Sequence, residues 1–140
     1  TNYVKCDNRF RVKQFLLGRE HTNIIMEDLN ISQSATYNKL VNKQLRRMMI
    51  QGLKNDIIKY SKLQGNMVSL VNPAYTSQQC SKCGHVSKDN RKTQEMFCCV
   101  SCGHTMNADF NASINIESRY YDNRITLNMK PREVLNILTN

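Results

Sequence analysis

The chain carries one short pattern twice. Cys80-Ser-Lys-Cys83-Gly84-His85 is followed, fifteen residues after Cys83, by Cys99-Val-Ser-Cys102-Gly103-His104. This C-x2-C-x15-C-x2-C spacing is that of a zinc ribbon. Each Cys-x-x-Cys turn delivers two sulfurs from one knuckle, and four thiolates converge tetrahedrally on one ion. Gly84 and Gly103 follow the second cysteine of each pair, where a knuckle calls for positive φ. A closed shell of four sulfurs leaves no position for water, so the zinc is expected to be structural. The competing reading is a redox pair or a disulfide framework. Doubling of the whole C-x-x-C-G-H pattern at metal spacing argues against it.

At 140 residues the chain is long enough for one domain with a packed core, or for a smaller core plus an appended ribbon. The formal net charge is +9. A clearly basic chain without an acidic tract points to an anionic partner, most often nucleic acid; the bland alternative is a generally basic surface. The six cysteines are better explained by metal than by secretion. No apolar run reaches membrane-spanning length and no signal-peptide pattern opens the chain. A reducing, cytoplasmic setting without a membrane partner is therefore expected. The first residue is Thr1, so the chain is read as processed, incomplete or excised from something longer.

The apolar pattern predicts an α/β layer fold interrupted by the ribbon. Within 1–23, Phe10, Val12, Phe15, Leu16 and Leu17 are expected to line one face of a helix. The run from Asn23 to Asn30 reads as a buried strand ending in acids. Ile31 to Tyr37 reads as a loop. From Asn38 to Gln64 an apolar stripe of Val41, Leu45, Met49, Leu53 and Ile57 keeps helical spacing. Gly52 weakens it, which predicts two helices meeting near Met48 to Gln51. Lys39, Lys43, Arg46, Arg47, Lys54, Lys59 and Lys62 lie off the stripe. Gly65 is the expected stop, and Met67 to Val71 reads as a second strand ended by Asn72-Pro73. The division is 1–73, then a ribbon over 74–106, then 107–140. The last part opens with a helix capped by Asn107, with Ala112, Ile116 and Tyr120 as its apolar stripe. A small closing helix follows Pro131 and uses Val134, Leu135, Ile137 and Leu138.

Two acids stand at element ends. Glu27 ends the first strand, and Asp109 occupies the first turn of the helix leaving the ribbon, where a negative side chain is favoured. Carboxylates from separate elements can share hard cations such as magnesium. A pair of such ions can stabilise both the attacking and leaving oxygens in phosphodiester hydrolysis. Spacing alone is equally served by a solvated acid after a strand and a good first-turn residue on a helix.

The ordered set of three segments carries more. Ile25-Met26-Glu27-Asp28-Leu29-Asn30, Asn72-Pro73-Ala74-Tyr75-Thr76-Ser77-Gln78-Gln79-Cys80-Ser81-Lys82-Cys83-Gly84 and Asn107-Ala108-Asp109-Phe110-Asn111-Ala112-Ser113-Ile114-Asn115-Ile116 together resemble the C-terminal part of the TnpB family. These are transposon-encoded, OrfB-type RNA-guided DNA nucleases related to the type V CRISPR effectors. The resemblance spans most of Ile24 to Ile116. It implies a partial RNase H-like (RuvC) nuclease domain interrupted by a target-nucleic-acid-binding ribbon. It implies that Glu27 is the second RuvC acid and Asp109 the third, both holding magnesium. It further implies DNA as a partner, a guide RNA bound through a missing N-terminal part, and a nucleoid-associated location.

The chain departs from the family in two respects. Only Asp7 and Glu20 precede Glu27, and neither lies in an Asp-x-Gly strand motif, so the first acid is not found here. The family often has Arg-Asp at the third acid, where this chain has Ala108-Asp109, one basic contact fewer.

Of the remaining candidates, Lys82, Lys88, Arg91 and Lys92 make the ribbon basic; with Arg46, Arg47 and Lys54 they are the expected phosphate contacts, which position a strand without reading its sequence. A solvated face is the plain alternative. His85 and His104 are expected to stay outside the metal shell, and Cys98 to point away from it. Tyr75 and Phe97 are expected to pack the ribbon. The leading function is a metal-dependent, RNA-guided DNA endonuclease portion. The alternatives are a nuclease-inactive nucleic-acid binder derived from that family and a plain zinc-ribbon interaction protein.

Overall fold

The computed structural model describes residues 10–19, 21–29 and 37–140, and of 37–47 and 49 the backbone path alone. Of the expected loop Ile31 to Tyr37, residues 31–36 lie outside the described residues and Tyr37 is instead the first residue of a helix; the early acids Asp7 and Glu20 and the side chains of Arg46 and Arg47 also lie outside the described residues. The chain divides into two compact units, Thr1–Ile24 with Asn30–Val68 and Ile25–Leu29 with Ser69–Asn140.

In the first unit, residues 10–16 form helix α1. Val12 and Leu16 are its buried residues, while Phe10, Phe15 and Leu17 are exposed. The expected five-residue face is thus a pair. Residues four apart share a helix face, and positions 15 and 17 fall about 100° to either side of Leu16. Helix α2, Tyr37–Leu63, is one continuous helix of 27 residues. The expected break at Gly52 does not occur. A Cβ added there would meet nothing within 4 Å. A cost of about 1 kcal/mol at such a position does not interrupt a helix of this length. Leu53 and Leu63, assigned to or beside the apolar stripe, are exposed, and Ile57 is half-buried.

The end of α2 is a Schellman turn. Gly65 has φ 72°, its N–H donates to Lys62 O at 3.2 Å, and the Asn66 N–H donates to Ser61 O at 2.9 Å. Asn66 then accepts the Thr22 N–H at 2.9 Å through its side chain.

Strands β1, Asn23–Glu27, and β2, Met67–Val71, pair in a two-stranded sheet. The Met67 N–H donates to Thr22 O and the Asp28 N–H to Val71 O, both at 2.9 Å. These bonds at the two ends run the strands in the same direction, as a strand–helix–strand crossover requires.

In the second unit, β3, Met96–Cys98, and β4, Thr105–Asn107, form an antiparallel hairpin with Phe97 opposite Met106. Phe97, Cys80, Cys99 and Ala108 form its buried cluster. Helix α3, Ala108–Tyr121, follows β4 directly, capped by the Asn107 side chain, which accepts the N–H groups of Asp109 and Phe110. Helix α4, Pro131–Thr139, closes the chain with Val134 buried.

The expected apolar stripe of α3 is corrected. Ala108, Asn111, Asn115 and Arg119 are buried, whereas Ala112 and Ile116 are half-buried and Tyr120 is exposed. The helix faces a loop whose backbone carbonyls need donors, so amide and guanidinium groups serve better than hydrocarbon.

Candidate functional site

The two knuckles repeat one hydrogen-bonding pattern. Cys80 N–H donates to His85 O and Gly84 N–H to Cys80 O, both at 2.9 Å; Cys99 N–H donates to His104 O at 2.8 Å and Gly103 N–H to Cys99 O at 3.0 Å. Gly84 and Gly103 have φ 78° and 70°. The histidines thus contribute backbone carbonyls to the knuckles. Asn90, fully buried, joins the halves: its amide donates to Gln78 O and His85 O, and its oxygen accepts the Val100 N–H at 2.9 Å.

The sulfur ligand atoms of Cys80, Cys83, Cys99 and Cys102 lie within 4.8 Å of one another. Cys80 and Cys102 are 3.8 Å apart at sulfur, and Cys83 and Cys99 3.6 Å. Four sulfurs at ~2.3 Å from a central ion in a tetrahedron stand ~3.8 Å apart. A disulfide needs ~2.05 Å. The donor set and its spacing therefore fit a metal ion such as zinc, and the competing disulfide reading does not fit. Cys98 is not part of the group.

Burial pushes the Cys80 thiol up. At Cys83 the His85 backbone N–H pulls downward but is outweighed by burial and the three neighbouring sulfurs, which push it up to about 12. At Cys99 burial opposes ionisation, yet the N–H groups of Cys102 and Ser101 and the neighbouring thiols lower it to about 7. A cation is needed to hold four thiolates together.

Asn111 attaches α3 to the first knuckle. Its oxygen accepts the Ser81 N–H at 3.0 Å, and its amide donates to Gln79 O at 2.8 Å. One turn on, the Asn115 amide donates to Thr76 O at 2.8 Å and Gln79 O at 2.7 Å. A further turn on, Arg119 donates to Asn72 O, Ala74 O and Gln79 Oε1. Sequence reasoning missed this row and took the apolar positions one residue later. The i, i+4 spacing of Asn111, Asn115 and Arg119 was the available signal.

Glu27 is half-buried and accepts a hydrogen bond from the Thr76 hydroxyl. Arg119 has its ionisation lowered by burial and supported by the charges of Asp122 and Glu27. Asp109 is 86% exposed at its side chain and lies 3.5 Å from the Arg91 guanidinium. The two acids thus have different partners, and Arg91 supplies a basic contact to Asp109 that residue 108 does not. Ala108 is fully buried against the ribbon core, with no room for a longer side chain without repacking. The carboxylate oxygens are hard donors of the kind magnesium takes, one or two at a time with water completing its shell. Lys82, Lys88 and Lys92 are exposed on the ribbon, and Lys54 is half-buried on α2. Among the described residues no helix is long and apolar enough to cross a membrane.

Residues 52–116 match the family described as Cas12f1-like, TNB domain. The chain is 37% identical over 114 residues to the Escherichia coli (strain K12) protein named "Putative RNA-guided DNA endonuclease InsQ", covering 71% of this chain and 28% of that protein. It is 28% identical over 103 residues to the TnpB-like protein aq_aa05 of Aquifex aeolicus (strain VF5), covering 72% of this chain and 34% of that protein. Among solved structures, the chain is similar to Cas12f1 in a complex with sgRNA and target DNA, with a TM-score of 0.57 and 25% identity over 82% of this chain and 33% of that one. The chain spans about a third of the length of each.

Proposed function

Because the chain belongs to the TnpB family, related to the type V effectors, we propose that it is the C-terminal nuclease and zinc-ribbon portion of an RNA-guided DNA endonuclease. The observation that carries this reading is the match over 52–116, a stretch that contains the whole cysteine cluster and Asp109. The parallel β1–α2–β2 crossover supports an RNase H-like nuclease fold.

In this reading the four thiolates hold zinc as a structural ion, which fixes the ribbon and the start of α3. Glu27 and Asp109 hold magnesium. Magnesium bound there supplies the positive charge that phosphodiester hydrolysis needs at its attacking and leaving oxygens. The chain's own residues position these parts. α3 presents Asp109 at its N-terminus, and its Asn and Arg row seats the loop after β2. Lys82, Lys88 and Lys92 contact the phosphate backbone of nucleic acid from the ribbon, and Lys54, by itself, does so from α2. Arg91 sits between the ribbon and Asp109 and balances that charge. In this reading a guide RNA is bound by, and the first acid is supplied by, a part of the protein other than these residues.

The pairing of Asp109 with Arg91 favours a second reading, a nuclease-inactive relative that grips nucleic acid with its third acid neutralised. Cutting separates the two. The longer protein that contains this chain, loaded with guide RNA, should cleave matched DNA with magnesium and stop when magnesium is chelated. Binding without cutting under both conditions contradicts the nuclease reading.

A further inference from the structure

The Glu27 carboxylate is gripped by a residue to which no role has been assigned. Thr76 is 2% exposed, and its hydroxyl donates to Glu27 Oε1. A second acceptor, Pro73 O, lies 3.1 Å from the same hydroxyl. The hydroxyl has one proton and serves one acceptor at a time. Tyr75, immediately before, has φ 64°, in the left-handed region that a bulky side chain rarely adopts. Such a conformation persists only where the surroundings hold it. Here α3 does so: Asn115 donates to Thr76 O at 2.8 Å, and Arg119 to Ala74 O at 3.1 Å. The helix that carries Asp109 in its first turn therefore also seats the turn that grips Glu27.

We propose that Thr76 is the positioning residue for Glu27. Its hydroxyl engages Oε1 and turns Oε2 toward a hard divalent cation, and Asn115 holds Thr76 in place. The hydroxyl donates its hydrogen bond to Pro73 O instead when both carboxylate oxygens are drawn to the cation. The inference rests on the reading of Glu27 as a cation ligand. Donors behind a ligating carboxylate orient it, and their loss commonly weakens metal affinity about 10–100-fold.

The test is NMR on the zinc-loaded chain with manganese(II) alone as the paramagnetic probe. In the wild type, manganese should broaden the Glu27 and Thr76 resonances selectively, and Glu27→Gln should remove the effect. Thr76→Val should raise the concentration needed by about tenfold or more, and Thr76→Ser should restore it. Zinc content should stay constant throughout. If Thr76→Val does not fold, Thr76→Ala removes the same hydroxyl and serves the same comparison. Once Glu27 is glutamine, the valine should add no further change. An unchanged manganese concentration in the hydroxyl-free variant overturns the positioning role and leaves the Glu27 reading standing. Equal broadening in the wild type and Glu27→Gln, or none at Glu27 in either, overturns the Glu27 reading and the inference with it.

Discussion

Arg91 lies 3.5 Å from Asp109, so the basic stretch of the ribbon ahead of β3 reaches the first turn of α3. Arg91 also donates to Gln94 O at 2.9 Å, which anchors the guanidinium to the segment leading into β3. The ion pair is open to water on the Asp109 side, and such pairs contribute about 0–1 kcal/mol. Arg91→Ala should therefore change the thermal midpoint little. A loss well above ~1 kcal/mol in denaturant unfolding would mean that the contact carries structure beyond the charge pair.

The cysteine cluster should bind one zinc ion per chain. Cys99→Ser should lose it, because three sulfurs leave the tetrahedral shell open and the buried Phe97 and Ala108 lose their support. Cys98→Ser should keep it, since that thiol is outside the group. Metal analysis of the purified variants decides both; a full zinc complement in Cys99→Ser contradicts the assignment.

The amide row of α3 should matter more to stability than its exposed apolar residues. Asn115→Leu keeps the side-chain length but leaves Thr76 O without its amide donor and Gln79 O with that of Asn111 alone. Such a loss costs about 1–3 kcal/mol. Phe110→Ser, at a position 69% exposed, should change stability by far less. Equal losses in the two variants, measured by urea unfolding of zinc-loaded protein, would contradict the buried role of the row.

Stability should also depend on pH through Asp122. The Arg124 side chain, hydrogen-bonded to it at 2.9 Å, holds its carboxyl below the usual range. The folded-state value is depressed, so the contribution is present above the unfolded value, near ~4, and is lost as pH falls through the folded value. Comparison of wild type with Asp122→Asn should show wild type ahead at neutral pH and the gap closing toward pH ~3. Arg124 is 68% exposed, so the gap should be small. A gap that widens on acidification contradicts the sign.

The convergence of the four cysteines was legible in the sequence, because the spacing within each pair and the knuckle glycines are local. Strand β2 and the Asn107 cap were legible for the same reason. The buried face of α3 was not. Hydrophobicity favoured Ala112, Ile116 and Tyr120, whereas the loop from Asn72 to Ser81 offers unpaired carbonyls that only donors such as Asn115 and Arg119 satisfy. That demand arises from residues about 40 positions away and has no local trace. Gly52 misled in the opposite direction: its propensity cost is real but too small to end α2. Thr76 was quoted only as part of a motif, since its contact with Glu27 depends on the left-handed turn at Tyr75.

The most direct test of the central claim separates grip from cutting. In the proposed reading the protein that carries this chain as a portion, with guide RNA, matched DNA and magnesium, is measured for binding and cleavage side by side in the wild type, Glu27→Ala and Asp109→Ala. The account predicts that each alanine variant keeps its zinc and binds DNA nearly as the wild type does, while cutting falls to background. Robust cleavage by either variant would contradict it.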